Sequence, residues 1–259
     1  NQKDYKVYRK DKKIVSSNII NPNGIDNISI IYNTDPKVTF EKKIITINPK
    51  EKNEFILPNG MTLKNINIES FYNDMILSID DEKNLPISED FQIITNPLTI
   101  NPANIPFKKK LRLEYKSDIN NHYAFYKYNK EKKIWTYIET TNKDNKISTK
   151  IASGGTFCVL SEKEQPIIYD IYPVLGKAYK KDIVKNISFH IDDQMSDINP
   201  YKIEIMFNDK KIFYDYIKYR KLVTANIENL TLGENKIDIS IYDNLNNVKN
   251  INGSFLISE

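Results

Sequence analysis

The chain has 259 residues, 40% hydrophobic and 28% charged, with 38 Lys and Arg against 34 Asp and Glu and a formal net charge of +4. That length suits two or three domains, while 7 glycines and the lack of a long apolar run exclude collagen-like, Gly-rich and membrane-helical classes, so no membrane insertion is expected. The basic residues are nearly all Lys interleaved with acids, with Arg only at Arg9, Arg112 and Arg220, so no nucleic-acid partner is expected either.

No signal peptide is visible at Asn1, which reads as a mature chain or a fragment. From there the pattern is alternation, with helical periodicity nearly absent. Strands are expected at Asn27–Tyr32 and Lys43–Ile47, then over Lys64–Glu69, where polar and apolar residues alternate strictly. Met75–Ile79 and Leu111–Tyr115 continue the series, rich in residues that suit a pleated, half-buried surface. Turn signals at Asn23-Gly24, Asn59-Gly60 and Gly154-Gly155 separate the runs. Between Ile94 and Phe107 stand Pro97, Pro102 and Pro106, which predict an edge or a crossing loop, because proline cannot donate to a central ladder. Phe157-Cys158-Val159 reads as a core strand carrying the single, free cysteine. Without disulfides the core must hold by packing alone.

A polar break over Asn48–Lys52 and a charged linker from Ser161 to Gln165 divide the chain. They give an N-terminal β segment over 1–52, either partial or packed on the next module, a β-sandwich over 53–164 and a second over 165–259. The last module carries seven strand candidates: Ile167–Tyr172, Val184–Asp192, Tyr201–Phe207, Lys211–Tyr216, Lys221–Ile227, Lys236–Tyr242 and Val248–Ile257. About seven short alternating strands in such a span is the immunoglobulin-like pattern. The expected fold class is therefore all-β, with tandem antiparallel β-sandwiches, the C-terminal one Ig-like or fibronectin-III-like.

The C-terminal module carries Tyr172-Pro173-Val174-Leu175-Gly176, Ile191-Asp192-Asp193, Met195-Ser196-Asp197-Ile198 and Gly233-Glu234-Asn235-Lys236-Ile237, followed by Asp243-Asn244-Leu245-Asn246-Asn247. These runs resemble the Ig-like accessory modules of bacterial secreted proteins. Asp197 and Asn246 stand where that pattern favours glycine. The preceding module, with Trp135-Thr136-Tyr137-Ile138 and a closing Gly155-Thr156-Phe157, resembles a ZU5-like sandwich. That order is similar to the region following the catalytic domain in LytM-type (lysostaphin-like) cell-wall peptidases. The resemblance implies an extracytoplasmic protein, periplasmic or on the cell surface, and a non-catalytic scaffold accessory to such a peptidase.

The residues for catalysis are not in view. A catalytic zinc needs about three protein ligands, and His122 and His190 fall in different modules with no H-x-H or H-E-x-x-H spacing. No G-x-S-x-G elbow, P-loop or dinucleotide fingerprint is present, so the chain itself is not expected to be an enzyme. Two binding features remain. Asp193, Asp197 and Asp243 lie in loops expected at one end of the Ig-like sandwich, near Glu162 and Glu164 of the linker. No cofactor is expected where these acids serve ordinary Asx turns; the alternative is calcium at a site between the modules, since oxygen ligands converging from loops suit it. Tyr126 with Tyr128, and Tyr214 with Tyr216, share strand faces and would offer rings to a cell-wall glycan or an envelope protein. A carbohydrate-binding or adhesin module is the alternative to the scaffold.

Overall fold

The computed structural model describes residues 7–10, 13–16, 25–32, 38–45, 53–72, 77–82, 85–103, 105–117 and 122–259. The expected turn at Asn23-Gly24, the break over Asn48–Lys52 and the start of the Met75–Ile79 strand lie outside them. The described residues are all-β, relieved by two three-residue 3-10 helices, Ile68–Ser70 and Lys218–Arg220. The chain divides into two compact units, Asn1–Ser88 with Gln92–Ser161 and Glu89–Phe91 with Glu162–Glu259.

The first unit is a sandwich of two antiparallel sheets, with a separate hairpin of Val7–Lys10 and Lys13–Ser16. A five-stranded sheet runs in the order Thr141–Lys143, Lys146–Ser153, Pro106–Lys116, Thr62–Ile66, Asn53–Ile56. An eight-stranded sheet runs, along its main path, through Ile134–Ile138, Tyr123–Asn129, Gly155–Glu162, Leu98–Asn101, Leu77–Asp81, Val38–Ile45 and Ile25–Tyr32. The segment before residue 53 thus adds a hairpin to this sheet, by pairing Val38–Ile45 with Leu77–Asp81. Period-two alternation builds the core. Leu63, Leu111, Leu113 and Ile147 come from one sheet, and Leu77, Ile79, Leu98, Phe125 and Phe157 from the other, all in one buried cluster. Each such side chain contributes roughly 1.5–3 kcal/mol on burial.

Three expectations change here. The strand expected over Lys64–Glu69 stops at Ile66, because Asn67 and Ser70 cap each other: the Asn67 N–H donates to Ser70 Oγ at 3.1 Å and Ser70 Oγ donates to Asn67 Oδ1 at 3.1 Å, turning the chain into the 3-10 helix. Leu98–Asn101 is a central strand rather than an edge or a loop. Pro97 and Pro102 bracket it without entering it and Pro106 opens the next strand, so every ladder donor of residues 98–101 survives. The linker expected from Ser161 starts later, since the strand Gly155–Glu162 runs through Glu162.

The second unit is Ig-like. Ile167–Tyr172, Asn186–Asp192, Leu222–Asn226 and Asp215–Ile217 form one sheet; Ala178–Lys180, Val248–Ser258, Gly233–Asp243, Ile198–Phe207 and Lys210–Lys211 form the other. Ile187, Phe189, Ile191, Ile203, Ile205, Val223, Ile239, Ile241 and Phe255 fill the space between them. The run expected as one strand from Lys211 to Tyr216 divides between the sheets: Lys210–Lys211 pairs with Ile198–Phe207, and Asp215–Ile217 with Leu222–Asn226. Ala178–Lys180, which the sequence reading did not include, pairs parallel with Val248–Ser258.

Candidate functional site

The candidate site is built on two loops of the second unit and on Glu162, the residue with which that unit's stretch Glu162–Glu259 begins. The first loop follows Asn186–Asp192. Asp193 Oδ1 accepts the backbone N–H groups of Met195, Ser196 and Asp197 at 2.9, 2.8 and 2.9 Å, folding residues 193–197 around one carboxylate oxygen. The second loop follows Gly233–Asp243. There Asp243 Oδ1 accepts from the N–H groups of Leu245 and Asn247, both at 2.8 Å, and Asp243 Oδ2 accepts from Asn247 Nδ2 at 2.7 Å. Asn244 joins the loops, its N–H donating to Asp197 O at 3.0 Å and its Nδ2 to Ser196 O at 2.8 Å. Side chains that compete for backbone groups favour such turns. Asp197 and Asn246 hold the left-handed backbone, with φ of 69° and 67°, at the two positions where the resembling pattern favours glycine.

Glu162 closes the site. Its carboxyl accepts from Ser196 Oγ, and from Asn247 Nδ2 at 3.4 Å. Oxygens of Glu162, Asp193 and Asp243 lie within 4.8 Å of one another. Glu162 is 1% exposed and Asp243 fully buried, and Asp243 forms no ion pair with Lys or Arg among the described residues. Burial pushes the Glu162 carboxyl up to about 8, with Asp243 and Asp193 adding to the rise and Ser196 opposing it. Burial also raises Asp193, against the pull of its three backbone donors. With Glu162 and Asp243 buried and Asp193 half-buried, carboxylates this close repel one another unless a shared proton or a cation balances them.

Of the five acids singled out in the sequence, these three converge, all within the second unit. Glu164 is exposed and outside the cluster. Asp197 turns its carboxylate elsewhere, with one oxygen on Lys218 Nζ at 2.5 Å and the other accepting the Ile198 N–H at 2.9 Å. The missing guide was the left-handed backbone at Asp197, which redirects its side chain.

The aromatic candidates fare differently. Tyr126 is fully buried and Tyr128 8% exposed, so neither offers a ring to a ligand. They share a face as expected, but Tyr137 packs edge-on to Tyr126 at 6.0 Å and Trp135 lies 5.1 Å from Tyr128. The Trp135 indole N–H donates to Pro86 O at 3.0 Å. Tyr214 and Tyr216 are half-buried against the core of the second unit, Tyr214 donating its hydroxyl to Pro200 O at 3.0 Å. The most exposed rings of the second unit are Tyr201, Phe213 and Tyr219, at 93%, 98% and 82%. Strand parity carried that signal for Phe213, because Tyr214 and Tyr216 face inward. Cys158 is fully buried, and burial holds its thiol far above the ordinary range, which denies it nucleophilic chemistry.

No family model matches the chain. A match over 131 residues, at 34% identity, joins it to "Putative histone-lysine N-methyltransferase 1" of Plasmodium falciparum (isolate 3D7), covering 45% of this chain and 2% of that protein. So small a share of that protein transfers no activity. Among solved structures, the chain is similar to fibronectin(III)-like modules of Clostridium thermocellum CbhA, with 12% identity, a TM-score of 0.29, and 58% of this chain and 86% of that one covered. A polysaccharide lyase aligns at 8% identity and a TM-score of 0.25, over 91% of this chain and 40% of that one. Superpositions this loose carry no argument about ligand, activity or location. The class rests on the strands themselves: an all-β chain of antiparallel sandwiches, the second of them Ig-like. No helix among the described residues is long and apolar enough to cross a membrane.

Proposed function

We propose that this chain is a non-catalytic spacer and binding platform of an exported bacterial envelope protein, accessory to a cell-wall peptidase. One observation carries the reading: the side chains best suited to chemistry are spent on the fold. Glu162, Asp193 and Asp243 tie two loops and a strand end together, and the Cys158 thiol is sealed in a strand. Calcium is the proposed cofactor of the three carboxylates, in place of the shared proton, since loop-borne oxygens suit it. The accessory role and the ZU5-like kinship of the first unit rest on the sequence resemblance alone.

In vivo crosslinking of the full-length protein tests this reading. The expected result is capture of an envelope protein, with no hydrolysis of peptidoglycan by residues 1–259 alone. Hydrolysis by the chain alone would contradict it.

A second reading, a carbohydrate-binding module, is favoured by Tyr201, Phe213 and Tyr219. Their segments neighbour one another through the Tyr214–Pro200 hydrogen bond and the Lys218–Asp197 ion pair. Exposed rings stack on pyranose faces. Saturable polysaccharide binding that is lost on replacing these three rings by Ala supports this reading, and equal retention of wild type and variant sinks it.

A further inference from the structure

We propose that a cleft around Lys127 in the first unit binds an oxyanion, a carboxylate or a phosphate carried by a small ligand or a chain end. The inference does not depend on the scaffold reading.

Lys127 lies on Tyr123–Asn129, where alternation puts it on the same face as Phe125, a fully buried core residue. A lysine thus occupies a position that the pattern reserves for an apolar side chain. Its Nζ sits 5.6 Å from the centre of the Phe157 ring. Gly155 makes room for the stem: its φ is 150°, and a Cβ there would fall 2.5 Å from Lys127 Cε. The strand therefore needs glycine at the one point where this lysine passes.

The charge has no ion-pair partner among the described residues. No carboxylate among the described residues lies within 4.0 Å of Lys127 Nζ. Glu131 lines the same cleft but lies beyond that range, and Lys130 adds a second positive charge. Burial holds the Lys127 pKa below its ordinary value, the sign of an ammonium short of water. Nζ donates to Ser153 Oγ at 3.0 Å, and Ser153 Oγ in turn donates to Gly154 O at 3.1 Å. The serine proton is thus committed to a carbonyl and the lysine acts as the donor. This is the arrangement of an anchored ammonium, and the reverse of a neutral lysine activating a serine.

An ammonium carries about three donor hydrogens, and Ser153 takes one. The cleft measures about 500 Å3 and is lined also by Asn129, Thr136 and Thr156, a size that suits a small ligand or a chain end. An oxyanion seated there would give the half-buried ammonium an ion-pair partner.

Thermal unfolding tests the proposal, with inorganic phosphate and with acetate titrated at ionic strength held constant by sodium chloride. The proteins are wild type, Lys127→Met, and Lys130→Met as the control for a second lysine of the cleft. A saturable rise in Tm with either anion, kept in Lys130→Met and lost in Lys127→Met, supports the site, and the more effective anion identifies the oxyanion class. No saturable response, or the same response in all three proteins, overturns it. Should Lys127→Met not fold, lysine-selective NMR of the wild type decides. The Lys127 titration midpoint must rise in the presence of the effective anion, and an unchanged midpoint overturns the proposal.

Discussion

Asn246 holds a left-handed backbone at φ 67° in the turn that closes the strands Gly233–Asp243 and Val248–Ser258. Asn tolerates that conformation because its short polar side chain adapts locally, whereas a β-branched residue does not, at about 1–2 kcal/mol. Asn246→Val is therefore expected to destabilise the second unit by about that much in urea unfolding, while Asn246→Gly should stay within about 0.5 kcal/mol of wild type. Equal stability of the Val variant would contradict the turn. At this scale the sequence was informative about residue type and silent about direction. The Asp193 and Asp243 motifs were legible as loop carboxylates. The pointing of Asp197 toward Lys218 depends on a backbone angle that no periodicity encodes, and the burial of Tyr126 and Tyr128 depends on what covers their outward face.

Among elements, the crossings between sheets are the points most sensitive to bulk. Gly154 separates Lys146–Ser153 of one sheet from Gly155–Glu162 of the other. A Cβ at Gly154 would lie 2.3 Å from Pro102 O and 2.5 Å from Ile100 O, backbone atoms that cannot rotate away. Gly154→Ala is expected to cost about 2–3 kcal/mol or more. At Gly253 the nearest atom is Leu175 Cδ1 at 2.6 Å, the free end of a side chain, so Gly253→Ala should cost under about 1 kcal/mol. Chemical denaturation of the two variants checks the ranking, and a reversed order would refute the crossing argument. Strand alternation made most elements legible, including Ile167–Tyr172 and Val248–Ser258. Leu98–Asn101 was hidden because prolines at both ends look like proline within a strand. Ala178–Lys180 was hidden because three residues show too little alternation, and the division of Lys211–Tyr216 because both halves share one pattern.

For the whole molecule, the buried acids set a pH dependence. Glu162 is raised from an ordinary 4.5 to about 8 in the folded protein. A raised carboxyl favours folding while it keeps its proton. Its contribution is full below about 4.5 and is lost as pH climbs through about 8. Asp193, raised in the same direction, adds to the loss from its own ordinary value upward. A bound cation would reverse this trend, because it needs the carboxylates ionised. The convergence of Glu162, Asp193 and Asp243 was legible as loops expected at one end of an Ig-like module. Its balance of protons and cations was not, since that depends on burial.

Thermal unfolding of the protein between about pH 5 and pH 8.5, with and without millimolar calcium, tests the account most directly, with Glu162→Gln alongside. The account predicts a metal-free midpoint that falls as pH rises, a calcium-induced rise that is larger at pH 8.5 than at pH 6, and a flattened pH dependence with a reduced calcium response in Glu162→Gln. A midpoint independent of pH and unmoved by calcium would contradict it.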